Sequence, residues 1–584
     1  MRKYSLALLL LMMSLSVCAG DIYVSPTGAD TADGTLQAPL RSINQALRIA
    51  REWRRLNDPR IEGGINIYLR GGEYCLDEPL FIRPEDSGTT TSPTIVKSVD
   101  GEQAHISGGK LLEILRREQE HIVCSAPYIT PTRQLWVDGR KAHRASQFGE
   151  GKMERMIDFD PISRTITIPT PENIADIFLA SSKLEMLVHQ RWATAILRVE
   201  SMETRLDKTV VTFMEPESRL EFEHPWPQPI IGGEKGSSSY CLLNSRAVID
   251  KPGAWIQNED NLSVTYHLRS DESNKMTKLQ LTIPHLNRLL TIEGYAQNRV
   301  HDIRFENITF EYAAWERPSR LGHVTLQGGF PLVDAYKLQK EGLPWSSTLE
   351  NQAWIERPEA AVSVKWAHHV DFIGCTFQHL AATALDYAVG ISDVTIADNH
   401  FEDIGGTAIL LGSFAEGAME VHRPYMVSPE SDEYCKRIEV TRNVIHDATN
   451  EDWGAVGIGA GFVRDVTIDS NDVSHVNYSG ICVGWGWTPL DTGMANNRIT
   501  NNHVSDFALQ LYDAGGIYTL SNQPNSLIEG NTVERIGAAP YATNDRGFNI
   551  YLDAETDGYT IRNNICPEGR YGDNHPGPNI DFRP

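Results

Sequence analysis

The sequence predicts an all-β fold, a right-handed parallel β-helix with an N-terminal capping helix and an inserted β-sandwich-like module. The main observation is a repeat in the C-terminal half: an apolar residue, two variable residues, an Asn, one variable residue and another apolar residue. Repeats that cannot bury an apolar face alone stack into solenoids. An amide at one corner of each coil can bond its equivalent in the next coil, so we expect a ladder of Asn residues. The copies contain Asn399, Asn443, Asn471, Asn502, Asn531 and Asn564.

Short β-like runs after these copies are the second observation. They follow a Gly-rich or polar corner and lie at 408–411, 455–458, 480–483, 517–520 and 549–552. Each unit therefore holds short strands and turns, and no helical-hairpin repeat fits. The alternative is that Asn marks the turns of a β-sandwich, but the constant frame of the copies favours the solenoid.

The chain divides into four predicted segments. Residues 1–20 form a signal peptide, and 21–110 form an N-terminal cap with the first coils, including an amphipathic helix at 42–53 that begins with a Ser42/Gln45 capping pair. The repeat frame disappears in 111–287, where alternating apolar runs indicate the inserted module. Residues 288–584 form the main β-helix and carry the active site.

Export is predicted from the N-terminus. Arg2 and Lys3 precede an apolar stretch at 6–17 that is too short to span a membrane, and small residues follow it. We therefore expect a periplasmic or secreted protein without a membrane span. Cys18 lies in a sequence that resembles a lipid-attachment box, so a surface lipoprotein is the alternative.

Charge and motifs exclude several classes of partner. The net charge is −24, with no run of Lys and Arg, so a nucleic-acid partner is not expected. We find no His-Glu-x-x-His, phosphate-loop or Cys-x-x-Cys motif and no clustered Asp/Asn set, and we predict neither a metal nor a cofactor. The expected partner is an oligosaccharide or polysaccharide, and the expected state is a monomer.

Two aspartates are the candidate catalytic residues. The runs 509–514 and 549–554 both end an apolar strand with Asp-Ala, which contributes Asp513 and Asp553. If the runs occupy equivalent places in adjacent coils, two carboxylates face one groove, as glycoside hydrolysis requires. A second register, which aligns Ile517 with Ile550, sends the two acids towards opposite strand ends. A third interpretation is that each Asp only ends a strand.

Aromatic and polar residues on long loops are candidate substrate ligands. Exposed indoles suit the C–H faces of sugars, although Trp residues also serve to cover loops. Histidines can bind sugar hydroxyls, although a lone His is more often a local hydrogen-bonding residue. His323, His379 and His422 are candidates for such binding. The predicted substrate-binding residues are Trp485, Trp487, His422, Trp453, Tyr518 and Glu555.

Several segments together resemble a known enzyme family. They are YVSPTG at 23–28, QLWVDGR at 134–140, SGICVGWGW at 479–487, GGIYTL at 515–520 and IYLD at 550–553. In this order they are similar to the parallel β-helix glycoside hydrolases, most closely to glycoside hydrolase family 141. The resemblance implies an exo-acting glycosidase of plant cell-wall breakdown, with α-L-fucosidase on rhamnogalacturonan II and xylanase as known activities. It also implies that Asp513 and Asp553 are the catalytic pair.

The resulting hypothesis is an exported glycoside hydrolase that releases α-L-fucose from pectic side chains. A xylan-active enzyme, a pectin lyase or a polygalacturonase on the same fold are alternatives, although the Asp-Asp, Gly-His-Gly and Arg-Ile-Lys motifs of polygalacturonases are absent. A non-catalytic carbohydrate-binding β-helix is a further alternative. Long insertions at about 311–365 and 412–436 disfavour it, because adhesins tend to have regular coils with short loops.

Overall fold

The structure is a computed structural model. Most of the predicted signal peptide, including Cys18, lies outside the residues that it describes, and so does His422. No helix in the described part is long and apolar enough to cross a membrane. The described residues are 19–126, 131–149, 151–179, 181, 183–224, 227–258, 262–274, 278–335, 353–416, 425 and 427–583.

Three long parallel sheets form the body of the described chain, and most coils contribute one strand to each sheet. The first sheet contains Gly20–Val24, Ile65–Leu69, Thr94–Ser98, Val300–Glu306, Ala367–Ile373, Ile391–Ala397, Cys435–Thr441, Val463–Asp469, Arg498–Thr500, Asn522–Glu529, Asp557–Arg562 and Asp581–Arg583. The second contains Gly72–Cys75, Ala104–Ser107, Ile308–Ala313, Thr376–Leu380, His400–Ile404, Val444–Ala448, Asp472–Val476, His503–Phe507 and Thr532–Ile536. The third contains Leu80–Ile82, Leu290–Glu293, Ala360–Lys365, Thr383–Tyr387, Ile409–Leu411, Ile458–Ala460, Ile481–Val483, Ala514–Thr519, Gly547–Leu552 and Tyr571–Asp573. This architecture confirms the predicted parallel β-helix.

The Asn ladder runs along the corner between the first and second sheets. The Oδ1 atom of Asn443 accepts from the backbone N (3.1 Å) and Nδ2 (2.9 Å) of Asn399, and the pattern continues through Asn564. Inside the coil, the rings of Phe305 and Phe372 stack with centroids 4.8 Å apart. Equivalent residues therefore repeat the same contact from coil to coil, which is how the repeat stabilises itself.

The helix Ile43–Arg55 covers the N-terminal end of the β-helix. The Ser42 side chain accepts from the backbone N of Gln45, as the capping pair predicts. The helix buries a stripe that belongs to the same apolar cluster as the first coils, consisting of Ile43, Ala46, Leu47 and Ala50. It closes the open end of the sheets. Short 3₁₀ helices follow at Pro59–Ile61 and Pro84–Asp86.

Mainly antiparallel sheets form the inserted part, with one parallel pair between His143–Arg144 and Ala254–Gln257. A four-stranded sheet contains Arg140–Lys141, Trp136–Val137, Leu281–Pro284 and Gly109–Leu111, and a five-stranded sheet contains His143–Arg144, Ala254–Gln257, Ser263–His267, His121–Ser125 and Ile114–Glu118. A seven-stranded sheet contains Glu154–Arg155, Ser239–Leu243, Glu185–Gln190, Ala193–Arg205, Lys208–Phe213, Thr165–Pro169 and Asp158–Asp160. The helices Ile174–Leu179 and Glu217–Glu223 and the 3₁₀ helix Arg246–Val248 also lie here.

The core of the seven-stranded sheet is shared with loops of the β-helix. Its apolar cluster includes Phe330, Phe414, Phe462 and Trp485, which come from outside the inserted part. Phe330 follows the helix Arg317–Leu321, and the two-stranded sheet Leu332–Ala335 and Ala353–Ile355 continues this insertion. The inserted module is therefore packed directly over the outer face of the third sheet.

Candidate active site

The register of the third sheet sets the positions of the two candidate acids. Ala514–Thr519 pairs in parallel with Gly547–Leu552, so that Ile517 lies opposite Ile550 and Tyr518 opposite Tyr551. Asp513 therefore precedes one strand and Asp553 follows the next. Of the two registers left open by the sequence, the second is observed, because it places both isoleucines inside the coil, where they are buried.

Two tyrosines nevertheless join both acids to one cluster. The Tyr518 hydroxyl donates to Oδ2 of Asp553, and the Tyr551 hydroxyl donates to Oδ1 of Asp513 over 3.1 Å. The two rings lie edge to face with centroids 5.1 Å apart. Asp513 has φ 59°, a left-handed conformation that Asp tolerates and that ends the preceding corner. The long tyrosine side chains thus span the offset that the register creates.

Gln327 completes the network from the loop insertion. Its Nε2 donates to the hydroxyl of Tyr518 (2.9 Å) and to the hydroxyl of Tyr478 (3.0 Å). The Tyr478 hydroxyl in turn donates to the backbone carbonyl of Asp513 over 3.0 Å. A continuous chain of hydrogen bonds therefore connects Asp553 to the Asp513 segment through buried side chains.

Two hydrogen bonds hold the buried side chain of Asp553. It is 8% exposed, and its Oδ1 accepts from Nδ2 of Asn574 over 2.7 Å, in addition to the bond from Tyr518. Burial, followed by the charge of Asp553, raises the pKa of Tyr518 well above its ordinary value, so this hydroxyl stays protonated and acts as a donor. Hydrogen bonds to a carboxylate favour its charged form.

The surroundings of Asp513 favour the protonated form. Burial is the largest cause and raises the pKa of its carboxyl, and the negative charge of Asp553 raises it further. Arg546, Tyr551 and Arg191 act in the opposite direction but leave the pKa above its ordinary value. The nearest Arg546 contact is long, at 3.5 Å between Nη1 and Oδ1. Asp513 is therefore suited to hold a proton.

The inserted module reaches this cluster through a hairpin tip. The tip lies between Glu185–Gln190 and Ala193–Arg205, and the carbonyl of Arg191 accepts from the backbone N of Tyr512 over 3.3 Å. His189 Nε2 lies 2.8 Å from the carbonyl of Gln510. The module therefore forms one wall beside Asp513.

A small apolar cavity of about 30 Å³ adjoins Tyr518. On the outer face of the third sheet, Leu410, Gly459, Cys482 and Tyr518 occupy successive register positions, and the small Gly459 and Cys482 leave a depression. Aromatic side chains wall this depression, and the polar groups at its edge include Gln327 and Tyr518. The aromatic walls are Phe330, Phe414 and Trp485.

The predicted substrate-binding residues differ in their placement. Tyr518 lies in the cluster itself, and Trp487 is half-buried against the apolar group that contains Tyr518 and Tyr551. Trp485 is 3% exposed and packs against Phe330 at 5.3 Å, so the expectation of an open indole platform is wrong for this residue. The physical reason is that the two long insertions fold over the sheet and cover it.

Two further candidates lie apart from this cavity. Trp453 is half-buried and lines an open cleft of about 1340 Å³ between the module and the β-helix, next to Lys141 and Glu451, whose charged atoms are 2.7 Å apart. Glu555 is half-buried on the segment after Asp553, and its backbone N donates to the carbonyl of His575 over 3.2 Å. The placement of His422 is not described.

The sequence analysis missed several members of the cluster. Tyr551 and Asn574 follow from the register, because they flank Asp553 on the same and the next coil. Gln327 and Arg191 lie in segments without the repeat, so no sequence signal identifies them. In the described part of the chain no group of three or more His, Cys, Asp or Glu is arranged to hold a metal ion.

Comparisons with known proteins agree with this description. The family model "GH141 insertion domain" matches residues 122–269, and the model "Right handed beta helix region" matches 430–574. A curated relative, pectate lyase PEL9 of Emericella nidulans, is 40% identical over 96 residues, which is 16% of this chain and 20% of that protein. The chain thus matches only about a fifth of the length of that relative.

A solved structure titled "Glycoside hydrolase" gives a much broader match. It is 37% identical, covers 97% of this chain and 96% of its own, and superimposes with a TM-score of 0.92. The similarity extends over the module, the coils and the segment that contains both aspartates. The chain therefore belongs to the glycoside hydrolases built on a parallel β-helix, of the family 141 type.

Proposed function

We propose that this glycoside hydrolase is an α-L-fucosidase that acts on pectic side chains of plant cell walls, in particular those of rhamnogalacturonan II. The observation that carries the proposal is the pair Asp513 and Asp553, two carboxyls joined by tyrosine side chains in one cluster, in which burial raises the pKa of Asp513. Glycosidases use such a pair to separate the acid from the base or nucleophile.

In the proposed mechanism, Asp513 is the general acid. Its raised pKa keeps the proton that it gives to the glycosidic oxygen as the bond to the anomeric carbon breaks. Asp553 is the second carboxyl of the pair, positioned by hydrogen bonds from Tyr518 and Asn574. It either attacks the anomeric carbon or takes the proton of the attacking water, and both routes complete hydrolysis.

The cavity beside Tyr518 supports a 6-deoxy sugar. A fucose unit carries a methyl group where most hexoses carry a hydroxymethyl group, and a wall of Phe330, Phe414 and Trp485 suits a methyl better than a hydroxyl. The net charge of −24 also favours a neutral sugar over a uronate at the cleavage site. The resemblance to family 141 points to the same sugar.

Location is part of the proposal. The N-terminal segment 1–20 supports export to the periplasm or the outside, with Cys18 as a lipid anchor in the alternative form. Export brings the enzyme to a polymer that does not enter the cell.

The test uses Asp513→Asn and Asp553→Asn with 4-nitrophenyl α-L-fucoside and rhamnogalacturonan II oligosaccharides. Each substitution should lower fucose release by about 100- to 10,000-fold, the usual contribution of a positioned acid or base. With Asp513 as acid, wild-type activity should fall as pH rises through its raised pKa, and Asp513→Asn should lose this limb.

Asp506→Asn is the matched control, because this aspartate pairs with Arg535 on the second sheet, away from the cluster. Undiminished fucose release by both site variants would refute the catalytic pair. Release of xylose instead of fucose would replace the proposed substrate by xylan. Release of an unsaturated uronate product would replace the proposed hydrolysis by a lyase reaction.

A further inference from the structure

A second cavity, of about 60 Å³, lies on the same outer face of the third sheet. Thr383 and Thr407 line it at the start of two coils, and register pairing leads from these coils through Ile458 and Ile481 to Ile517, beside Asp513. Thr407 is therefore three coils and Thr383 four coils from the coil of Ile517, which at about 4.8 Å per coil is about 14 to 19 Å. Gly328 borders both this cavity and the apolar one beside Tyr518.

A buried histidine presents an unused nitrogen at this cavity. His323 is 2% exposed, and its Nε2 lies 2.9 Å from Oδ2 of Asp452. Its Nδ1 is buried and has no hydrogen-bond partner among the described residues. A buried polar atom without a partner costs free energy, so a ligand that bonds it would recover this cost.

Two other polar atoms at the cavity share this property. Oε2 of Glu359 and Nε of Arg317 are buried without a partner in the described chain, although the other side-chain atoms of both residues are fixed. Oε1 of Glu359 accepts from Asn287 over 3.3 Å, and Nη1 of Arg317 pairs with Glu356 over 2.8 Å. The unused groups therefore include an acceptor, a donor and an imidazole nitrogen that can be either.

The remaining lining fits a sugar ring. Trp315 is part of the wall, with its ring edge to face with His323 at 4.8 Å, and the floor contains the small Gly329, Ala382 and Ala455. Sugar hydroxyls are both donors and acceptors, and the C–H face of a sugar packs on an indole. A mixed set of donors and acceptors around an apolar floor matches this chemistry.

A uronate fits less well. The cations at the cavity are already neutralised, because Arg357 makes a two-pronged contact with Asp386 (2.6 Å at its shortest) and Arg317 pairs with Glu356. Glu359 would also repel a second carboxylate when ionised. The charges thus favour a neutral sugar.

We propose that this cavity is a distal subsite that binds a neutral sugar unit of the substrate, several units from the bond that is cleaved, through His323, Glu359 and Arg317. The inference rests on the proposed function, and Gly328, which borders both cavities, connects this cavity with the one beside Tyr518. It assigns the cavity a role in choosing long, branched substrates over short ones.

The experiment compares kcat/KM for 4-nitrophenyl α-L-fucoside with kcat/KM for fucosylated rhamnogalacturonan II oligosaccharides of increasing length. In the wild type, the ratio of long to short substrate should rise once the chain reaches the cavity. Two substitutions, His323→Gln and Glu359→Gln, should each lower that ratio by about 10- to 100-fold, the effect of one or two lost buried hydrogen bonds. His323→Gln keeps a donor for Asp452 but lacks an equivalent of Nδ1.

Ala382→Phe, which fills the cavity without removing a polar group, should lower the ratio in the same way. Glu439→Gln is the control, because Glu439 is exposed on the first sheet and its loss of charge should not change the ratio. A ratio that does not rise with length, or that survives all three cavity variants, overturns the proposal.

Calorimetric titration of the Asp553→Asn enzyme with the longest oligosaccharide separates this proposal from the proposed function. If the wild type releases no fucose, the fucosidase assignment fails. In that case, weaker oligosaccharide binding after the cavity substitutions would still support the distal subsite, and unchanged binding would overturn the subsite. Tighter binding of oligogalacturonate than of the neutral chains would overturn the assignment of a neutral sugar.

Discussion

The β-helix and the inserted module satisfy their buried polar groups in different ways. In the β-helix, each ladder Asn from Asn399 to Asn531 uses its backbone N and its side-chain Nδ2 on the Asn of the next coil, and no charge is buried in the ladder. In the module, ionisable side chains such as Glu185, Glu221 and His189 are buried, each at 2% exposure or less. Only Glu185 has a full set of charged partners among the described residues.

This difference shows which part of the fold can supply polar groups for catalysis or ligand binding. A repeat is stable because each coil copies satisfied contacts, so the ladder leaves no spare polar atom for a ligand. The module is not a repeat, and its hairpin tip at Arg191 meets the segment of Asp513. Polar groups of the module therefore lie next to the candidate catalytic residues, while the coils provide the rigid frame.

The largest expected effect tests the buried ion pair of the module. Glu185 accepts from Nη1 of Arg133 over 2.5 Å, and Arg144 lies 3.6 Å away. Burial alone would raise the pKa of Glu185, but the two guanidinium groups outweigh it and lower the pKa to about 2. Glu185→Gln would leave buried cations without a counter-charge and should cost about 3 to 5 kcal/mol, measured by thermal or urea unfolding.

The control for this substitution is Asp398→Asn, which breaks an exposed pair with Arg442 at 2.8 Å. An exposed pair contributes little, so its melting temperature should stay close to that of the wild type. If the two substitutions had equal effects, the module would not depend on its buried charges.

A somewhat smaller effect is expected for the ladder. Asn502→Ala removes the acceptor of the backbone N and the Nδ2 of Asn471, both at 3.0 Å, and the donor to the carbonyl of Ile468. Unpaired buried groups should lower the free energy of unfolding by about 2 to 4 kcal/mol. Asn66→Ala, which loses only one bond to Asp21 on the surface, should change it far less.

A ladder that tolerated Asn502→Ala as well as Asn66→Ala would show that the coils are held by their apolar interior alone. Because no titratable group takes part in the hydrogen bonds of Asn502, the stability lost in Asn502→Ala should be the same at acidic and alkaline pH. This pH independence separates the ladder from the module.

The parts of the fold that could be predicted are those that repeat. The Asn frame predicted the ladder, and the Ser42/Gln45 pair with a spaced apolar stripe predicted the capping helix. Both signals are local and periodic, and burial then fixes their orientation.

The site was harder to predict because it depends on register and on loops. Aligning Asp513 with Asp553 would have put Ile517 opposite Asp557, a polar residue at a buried position, whereas the observed register pairs Ile517 with Ile550. Trp485 is covered by side chains more than 70 residues away in sequence, such as Phe330 and Phe414, and no periodic signal reports such contacts. Long-range packing of non-repeating loops therefore decides which aromatic residues remain open.

The smallest expected effect depends on pH and tests the unpaired acid of the module. Glu221 is 1% exposed, its described partner is the side-chain amide of Gln190, and burial raises its pKa to about 8 from an ordinary value of 4.5. Between these two values the unfolded chain loses the proton while the folded module keeps it. The free energy of unfolding should therefore fall as pH rises from about 4.5 to about 8, and then level off.

Glu221→Gln cannot ionise, so it should remove this fall. Relative to the wild type, the variant should therefore become steadily more stable from acidic to mildly alkaline pH, measured by unfolding followed through tryptophan fluorescence. Glu439→Gln, an exposed glutamate on the first sheet, should show no such gain. A parallel pH profile of wild type and Glu221→Gln would mean that Glu221 is ionised in the folded module, and that a cation or solvent reaches it from the side of the active-site hairpin.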